Sequence, residues 1–282
     1  MKPAAFAYAK ARTLGHAIEL LGADPDGAKV LAGGQSLIAT LNMRLSAPRL
    51  LVDINGLDSL KEIAVADGRL AIGALVRHAQ AERSPDVARH APLIALALPH
   101  IAHPAIRNRG TIGGSLAFAD PAAELPACLL ALDGEVEIAG PKGPRSVRAG
   151  DFFRNLFETA LAPDEVLTAV RVPVAGPDTR VGFAELARRH GDYAMIGLAA
   201  AAKAHSGRLA DVRLAYFGVA ATPVRARHAE AALAQDGLEH AVAALDRDLD
   251  PAGDLHASAA AKRHWARVLL RRVTQQLEEP RA

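Results

Sequence analysis

The sequence predicts an α+β protein of two domains, and three observations carry that prediction. The chain has 282 residues, and at about 150 residues per domain two units are expected. Residues 173–178, Pro-Val-Ala-Gly-Pro-Asp, read as a linker. Beyond them strands come first and helices after, the pattern of a sheet covered by helices. The expected division is 1–176 and 177–282.

Each element follows from local signals. Residues 14–21 read as a helix, with Thr13 as N-cap and Gly22 as stop. Residues 29–32 read as a strand running into Gly33-Gly34. Ser36 then caps a helix to about Met43, and 50–54 form a second strand ended by Asn55-Gly56. Residues 63–66 and 69–73 alternate around Asp67-Gly68, a strong hairpin signal. Helical patterns follow at 75–82 and 92–102. Residues 103–120 are rich in glycine and polar side chains, have no clear period and read as a loop. Helix resumes at 121–132, with Asp120 as N-cap and Pro121 at the first helical position. Residues 135–138 and 166–172 read as strands. Past the linker, 183–189, 194–203 and 212–220 read as three strands joined by Gly191-Asp192 and Ser206-Gly207. Two or three helices end the chain, the last at 257–277.

Composition narrows the function. Lys and Arg number 33 against 31 Asp and Glu, so the net charge is only +2, and no stretch is densely basic. With aromatics at 4%, nucleic-acid binding is not expected. Cys128 is the single cysteine. That excludes an internal disulfide framework, an all-cysteine iron–sulfur cluster and the usual structural zinc sites. The N-terminal stretch lacks the apolar core of a signal peptide, and the longest apolar run, 194–202, is too short to span a bilayer. The expectation is a soluble cytoplasmic protein without an integral membrane segment.

Two segments stand out: Ala32-Gly33-Gly34-Gln35-Ser36-Leu37 and Arg109-Gly110-Thr111-Ile112-Gly113-Gly114-Ser115. Each is a glycine pair flanked by hydroxyl residues. Glycine permits positive φ and close approach of a ligand to the backbone. Successive N–H groups in such a turn form a nest for an anion. Two such turns could clasp the two phosphates of a dinucleotide, although a glycine pair can equally be a plain turn. Neither segment is G-x-G-x-x-G, and no P-loop pattern occurs, which argues against a Rossmann nucleotide domain and a P-loop NTPase. Gly113-Gly114-Ser115-Leu116-Ala117 is close to a nucleophile elbow but lacks its strand and its last glycine. His100 and His103 read as a solvated helix end rather than metal ligands, since no Cys, Asp or Glu completes a set. His78 reads as surface or packing, and Cys128 as a small core residue.

Three stretches together make the chain similar to the FAD-binding medium subunits of the molybdenum hydroxylases, the family of carbon monoxide and xanthine dehydrogenases. They are 31–37; 106–116 with its continuation Ala119-Asp120-Pro121-Ala122-Ala123-Glu124-Leu125-Pro126; and Ala187-Arg188-Arg189-His190-Gly191-Asp192-Tyr193-Ala194. The resemblance implies a two-subdomain FAD-binding domain of the vanillyl-alcohol-oxidase (PCMH) type, at approximately 1–55 and 56–176. A smaller α+β domain with a three-stranded sheet follows it.

The resemblance also implies roles. Ala32, Gly33, Gly34, Gln35, Ser36 and Leu37 would form the first pyrophosphate loop, and Thr111, Gly113, Gly114 and Ser115 the second. Glu124 falls where a carboxylate meets the adenosine ribose, and Asp120 would cap the helix behind that loop. Ile101 would pack beside the cofactor, Leu167 would contact flavin or adenine, and Tyr193 would lie near the isoalloxazine. Ser115 stands where many members carry Asn, and Gln35 where the carbon monoxide enzymes tend to carry His. No catalytic side chain and no metal ligand is required of this chain. The [2Fe-2S] clusters would sit on a small partner subunit and the molybdenum-pterin cofactor on a large one, in a dimer of heterotrimers. Electrons would leave to NAD, a quinone or another external acceptor. The alternatives are a stand-alone FAD oxidoreductase of the same fold and a non-catalytic scaffold.

Overall fold

The computed structural model describes residues 2–205 and 207–279. β1 (Ala7–Lys10), α1 (Leu14–Ala23), β2 (Ala28–Leu31), α2 (Leu37–Asn42) and β3 (Leu50–Asp53) open the chain. The strands lie in the order β1-β3-β2, all parallel. Parallel neighbours need crossovers, and the two helices supply them. The Thr13 hydroxyl caps α1 by accepting from the His16 amide. Gly22 does not stop α1, which ends one residue later. Ser36 precedes α2 without a capping hydrogen bond: it is itself helical, at φ −94 and ψ −47, whereas a capping side chain needs an extended backbone.

The second sheet is antiparallel and is built by β4 (Ile63–Ala66), β5 (Arg69–Gly73), β6 (Glu135–Gly140), β7 (Gly143–Arg148) and, after a separate hairpin of β8 (Phe153–Asn155) and β9 (Glu158–Thr159), β10 (Val166–Pro173). Its order is β4-β5-β10-β6-β7. Asp67 and Gly68 both have positive φ, 51° and 70°, as the tight β4–β5 turn demands. Between β5 and β6 run α3 (His78–Glu82), α4 (Pro85–His90), α5 (Pro92–Ala97), α6 (Pro104–Arg107), α7 (Ile112–Phe118) and α8 (Glu124–Ala131), and α9 (Ala149–Phe152) follows β7.

Three expectations are corrected here. Residues 75–77 are not helical; Leu75 donates to the Leu60 carbonyl, and Arg77 bridges Thr111 in β fashion. The segment 103–120 is not a loop but contains α6 and α7. Asp120 does not cap the next helix. Its Oδ1 accepts from the Ala122 amide at 2.9 Å and its carbonyl from Ala123, a local turn that delays α8 to Glu124.

β11 (Thr179–Leu186), β12 (Ile196–His205), β13 (Arg208–Phe217) and β14 (Val224–Arg225) form the third sheet in that order, antiparallel throughout. β14 is a short fourth strand at the edge of the expected three. Gly207 is part of the turn between β12 and β13; Ser206 lies outside the described residues. α10 (Arg227–Gln235), α11 (Leu238–Asp248) and α12 (Ala259–Glu278) cover one face.

The alternation along β12 explains its apolar run. Leu198, Ala200 and Ala202 join the cluster under α10–α12, while Ala199 and Ala201 join the cluster of the second sheet with α5 and α8. A strand buried on both faces has no polar face to show. A third cluster, with Leu21, Val52, Ile54 and Leu75, lies under the first sheet.

Candidate functional site

The first glycine segment leaves β2 as an open turn. Gly34 takes φ +73°, a left-handed conformation that glycine adopts without steric cost. Among the described residues, the amides of Gly33, Gly34, Gln35 and Ser36 donate to no protein acceptor. Four successive free amides in such a turn make an anion nest. Two side chains shape it from behind. Asn55, just past β3, donates its Nδ2 to the Ala32 carbonyl at 2.8 Å, and Gln35 Nε2 reaches the Gly33 carbonyl at 3.1 Å.

The second segment is different. Thr111 is the N-cap of α7, and its Oγ1 accepts from the Gly114 amide at 3.0 Å. Ile112 donates to the Val76 carbonyl, Gly113 to Ala74 and Ser115 to Thr111. Every amide from 112 to 115 therefore has a protein acceptor, and the expected second nest does not form. Gly113 is there for packing: a Cβ would lie 2.6 Å from the Ala74 Cβ.

The two segments meet backbone to backbone. A Cβ on Gly33 would strike the Arg109 carbonyl and lie 3.0 Å from the Gly110 Cα. Arg77 ties the pair, donating one guanidinium nitrogen to the Arg109 carbonyl and the other to Asn55 Oδ1 at 2.6 Å. Burial, with the nearby Arg109 charge, holds its pKa below the usual arginine value.

Past α7, the left-handed Ala119 (φ 52°) turns the chain into Asp120 and α8. Glu124 is only 7% exposed. Burial, reinforced by the Glu185 and Asp120 carboxylates, pushes it up to about 8. Burial likewise raises Asp120. Tyr193 is 70% exposed; partial desolvation of its hydroxyl, then the charges of Asp120 and Glu124, raise its pKa.

The loop carrying Tyr193 is docked by Gly191, at φ +86°, where a Cβ would lie 2.5 Å from the Ala102 carbonyl. Arg107 builds that landing place. Its buried guanidinium donates to the Ile101 and Ala102 carbonyls at 3.0 and 3.1 Å and pairs with Glu82 at 2.9 Å. Ile101 is buried on the same turn. His100 is not a solvated helix end: its Nδ1 lies 3.3 Å from the buried Glu185 carboxylate, and its ring tilts against Phe183.

The structure thus brings Gly33 against Arg109 and Gly110, and leaves Tyr193 within electrostatic range of Asp120 and Glu124. Leu167 packs in the core of the second sheet beside a register shift in β10, next to Thr168, whose carbonyl accepts from the amide of Ala74, the residue that holds Gly113. Asn55, Arg77 and Arg107 have no counterpart among the expected site residues. Asn55 reads in the sequence only as a strand stop, and single polar residues at element ends carry no periodic signal.

Residues 4–175 match a family model described as the FAD binding domain in molybdopterin dehydrogenase, and residues 182–277 match the CO dehydrogenase flavoprotein C-terminal domain. The chain is 40% identical over 278 residues to the 6-hydroxypseudooxynicotine dehydrogenase complex subunit alpha of Paenarthrobacter nicotinovorans, covering 96% of this chain and 94% of that one. The solved carbon monoxide dehydrogenase from Hydrogenophaga pseudoflava superposes with a TM-score of 0.95 at 35% identity, over 98% of each chain. Quinoline 2-oxidoreductase from Pseudomonas putida 86 gives 0.93 at 36%, over 99% of this chain and 98% of that one. Sequence, domain order and fold agree, and the chain belongs to the FAD-binding medium subunits of the molybdenum hydroxylases.

Proposed function

We propose that this chain carries FAD in the crevice between its two glycine segments and passes electrons from iron–sulfur clusters on a partner chain to an external acceptor. The observation that carries the reading is the row of four free amides at 33–36, held against the Arg109–Gly110 backbone. A diphosphate fits this donor set: oxygens for unpaired N–H groups, no side chain in the way at Gly33 or Gly34, and the Arg77 cation behind. Residues 32–37 would bind the diphosphate by main-chain amides. Thr111, Gly113, Gly114 and Ser115 would form the opposite wall, contributing shape and side-chain oxygens rather than amides. Glu124, with Asp120 behind it, would face the adenosine ribose. Ile101, Leu167 and Tyr193 would supply apolar and ring contacts.

Bound FAD supplies redox chemistry that takes electrons singly and releases them in pairs; the protein supplies binding, orientation and electrostatics. Cys128 is buried and alone, so it cannot hold a cluster. On this proposal, and as the family resemblance implies, the [2Fe-2S] clusters and the molybdenum-pterin cofactor sit on separate small and large subunits, in a dimer of heterotrimers. The three main sheets, built from residues 7–53, 63–173 and 179–225, support units at about 1–55, 56–176 and 177–282. No helix among the described residues is long and apolar enough to cross a membrane.

The test loads the purified full-length chain with FAD and follows flavin absorbance. One flavin should bind per chain, stay oxidised with small organic donors, and be reduced when the reduced small subunit is added. Failure to bind FAD overturns the reading. Reduction by an organic donor without partners replaces it with the stand-alone oxidoreductase.

A further inference from the structure

We infer that Lys262 is a positioning residue that acts through Gly218: it fixes, relative to each other, the two chain segments that carry Glu124 and Tyr193. The inference rests on the proposed FAD site.

Gly218 follows β13 and is left-handed, at φ +74°. Its amide donates to the Pro121 carbonyl at 2.8 Å, and its carbonyl accepts from Lys262 Nζ at 2.9 Å. On a third side it lies against the start of β12: a Cβ would stand 2.9 Å from the Met195 carbonyl and 3.2 Å from the Ile196 Cα. Gly218 thus touches the chain just past Asp120 and just past Tyr193. Both attachments are stiff. Asp120 closes a turn over Ala122 and Ala123, so this stretch moves as a unit, and α8 follows it at Glu124. Met195 donates to the Leu186 carbonyl at 2.8 Å, which shuts the Tyr193 loop at its base. A shift of Gly218 is therefore passed to both segments.

Glycine has more conformational freedom than any other residue, so Gly218 keeps its place only if both of its peptide planes are fixed. Pro121 fixes the plane of its N–H, and Lys262 the plane of its C=O. Lysine is a costly residue for this task. Lys262 is only 7% exposed, and a buried ammonium needs partners for its charge. It also stands near the N-terminus of α12, where the helix dipole disfavours a cation. The charge is met by Asp254 Oδ2 at 2.7 Å, and the Asp254 carboxylate is held in turn by the His256 and Ala257 amides at 2.7 and 2.9 Å. Packing alone is served as well by an apolar side chain of similar volume. What the ammonium adds is a donor for a main-chain carbonyl that stands between two segments of the candidate site.

The experiment measures the FAD dissociation constant of the full-length chain in wild type, Lys262→Met, Lys262→Gln and Val273→Ala, each well below its melting temperature. Val273 is buried on the same helix, so Val273→Ala is a control that destabilises α12 through packing alone. Lys262→Met should weaken FAD about tenfold, and Val273→Ala less than about threefold. In a chain that already carries Glu124→Gln and Tyr193→Phe, Lys262→Met should cost less than about threefold, because the groups it positions are gone. Lys262→Gln is neutral and shorter by a methylene, and carries the test should Lys262→Met not fold. In the unliganded chain the amides of Gly218, Ala122, Ala123 and Met195 should exchange hydrogen about tenfold faster in either Lys262 variant. A full loss that persists without Glu124 and Tyr193, or an equal loss in Val273→Ala, would make Lys262 merely structural and overturn the inference; so would unchanged exchange at these amides. If the wild type binds no FAD, the functional reading fails instead, and the exchange rates alone decide whether Lys262 fixes the two segments.

Discussion

Gly33-Gly34 and Gly113-Gly114 look alike in the sequence, and the structure uses them for opposite purposes. The first pair stands in an open turn with a left-handed residue, and the amides around it are free. The second pair lies in the first turn of α7, none of its residues has positive φ, and its amides are all bound to protein acceptors. One pair keeps donors available. The other removes side-chain bulk so that α7 can press on Ala74. Identical dipeptides thus divide a crevice into a binding side and a supporting side, and the division is set by what each pair packs against.

The strongest way to break this comparison is to add a methyl group on each side. Gly113→Ala forces a contact at 2.6 Å with the Ala74 Cβ and 2.8 Å with its Cα. Overpacking of this kind costs roughly 1–3 kcal/mol, so the unliganded chain should melt several degrees lower. Gly33→Ala strikes the Arg109 carbonyl and pushes the segments apart, so FAD affinity should fall more than tenfold. Calorimetry with and without FAD separates the two effects. An unchanged melting temperature with abolished binding in Gly113→Ala would make the second segment a nest after all.

The supporting side also leads into buried carboxyl groups, and pH reads that difference. Glu124 sits at about 8 in the fold against 4.5 for an ordinary glutamate. The folded chain therefore binds more protons between these values, and stability falls as pH rises through that window. His78 acts oppositely. Burial lowers it from 6.5 to about 4, so it destabilises the fold as pH falls below 6.5. From pH 6.5 to 8 Glu124 acts without His78. The wild-type chain should lose up to about 1.4 kcal/mol per pH unit there, and Glu124→Gln should flatten the curve. An equally steep curve in Glu124→Gln would place the titration elsewhere.

What the sequence revealed and concealed follows the same physics. The β4–β5 hairpin was legible to the residue, because Asp67-Gly68 is one of the few pairs that tolerates two positive φ values and its flanks alternate. The segment 103–120 was illegible as helix, since glycine is a poor helix former and α7 owes its place to the Thr111 cap and to packing on Ala74. α4 was not expected, although Ser84 with Pro85 at the first helical position is a start signal and Ser84 accepts from the Val87 amide. β7 is an exposed edge strand carrying Pro144, Arg145 and Arg148, so it shows no apolar alternation to find. In the candidate site, the two glycine segments come into contact, but the Asn55–Arg77 bridge joins residues distant in the chain and left no pattern.

The same contrast should appear, more weakly, in the glycine conformations. Gly34→Ala puts an L side chain at φ +73° with 3.2 Å to the flexible Ile38 side chain. The left-handed conformation costs about 1–2 kcal/mol, partly offset by about 0.4–1 kcal/mol from the stiffer unfolded chain. Gly114 has negative φ, and its Cβ would meet only the Thr111 hydroxyl, at 2.7 Å. Gly114→Ala should therefore act through the cap alone.

The smallest effect is the sharpest discriminator, because it uses the two hydroxyl residues that look equivalent in the sequence. Thr111 caps α7, with its Oγ1 on the Gly114 amide; Ser36 precedes α2 and caps nothing. Thr111→Ala should cost about 1 kcal/mol, and the Gly114 amide should exchange its hydrogen faster. Ser36→Ala should leave unliganded stability within about 0.5 kcal/mol and show itself only with FAD present, where the hydroxyl adds a donor beside the free amides. Equal losses in the two unliganded chains would mean that both segments are supporting structure, and the asymmetry argued from their amides would be gone.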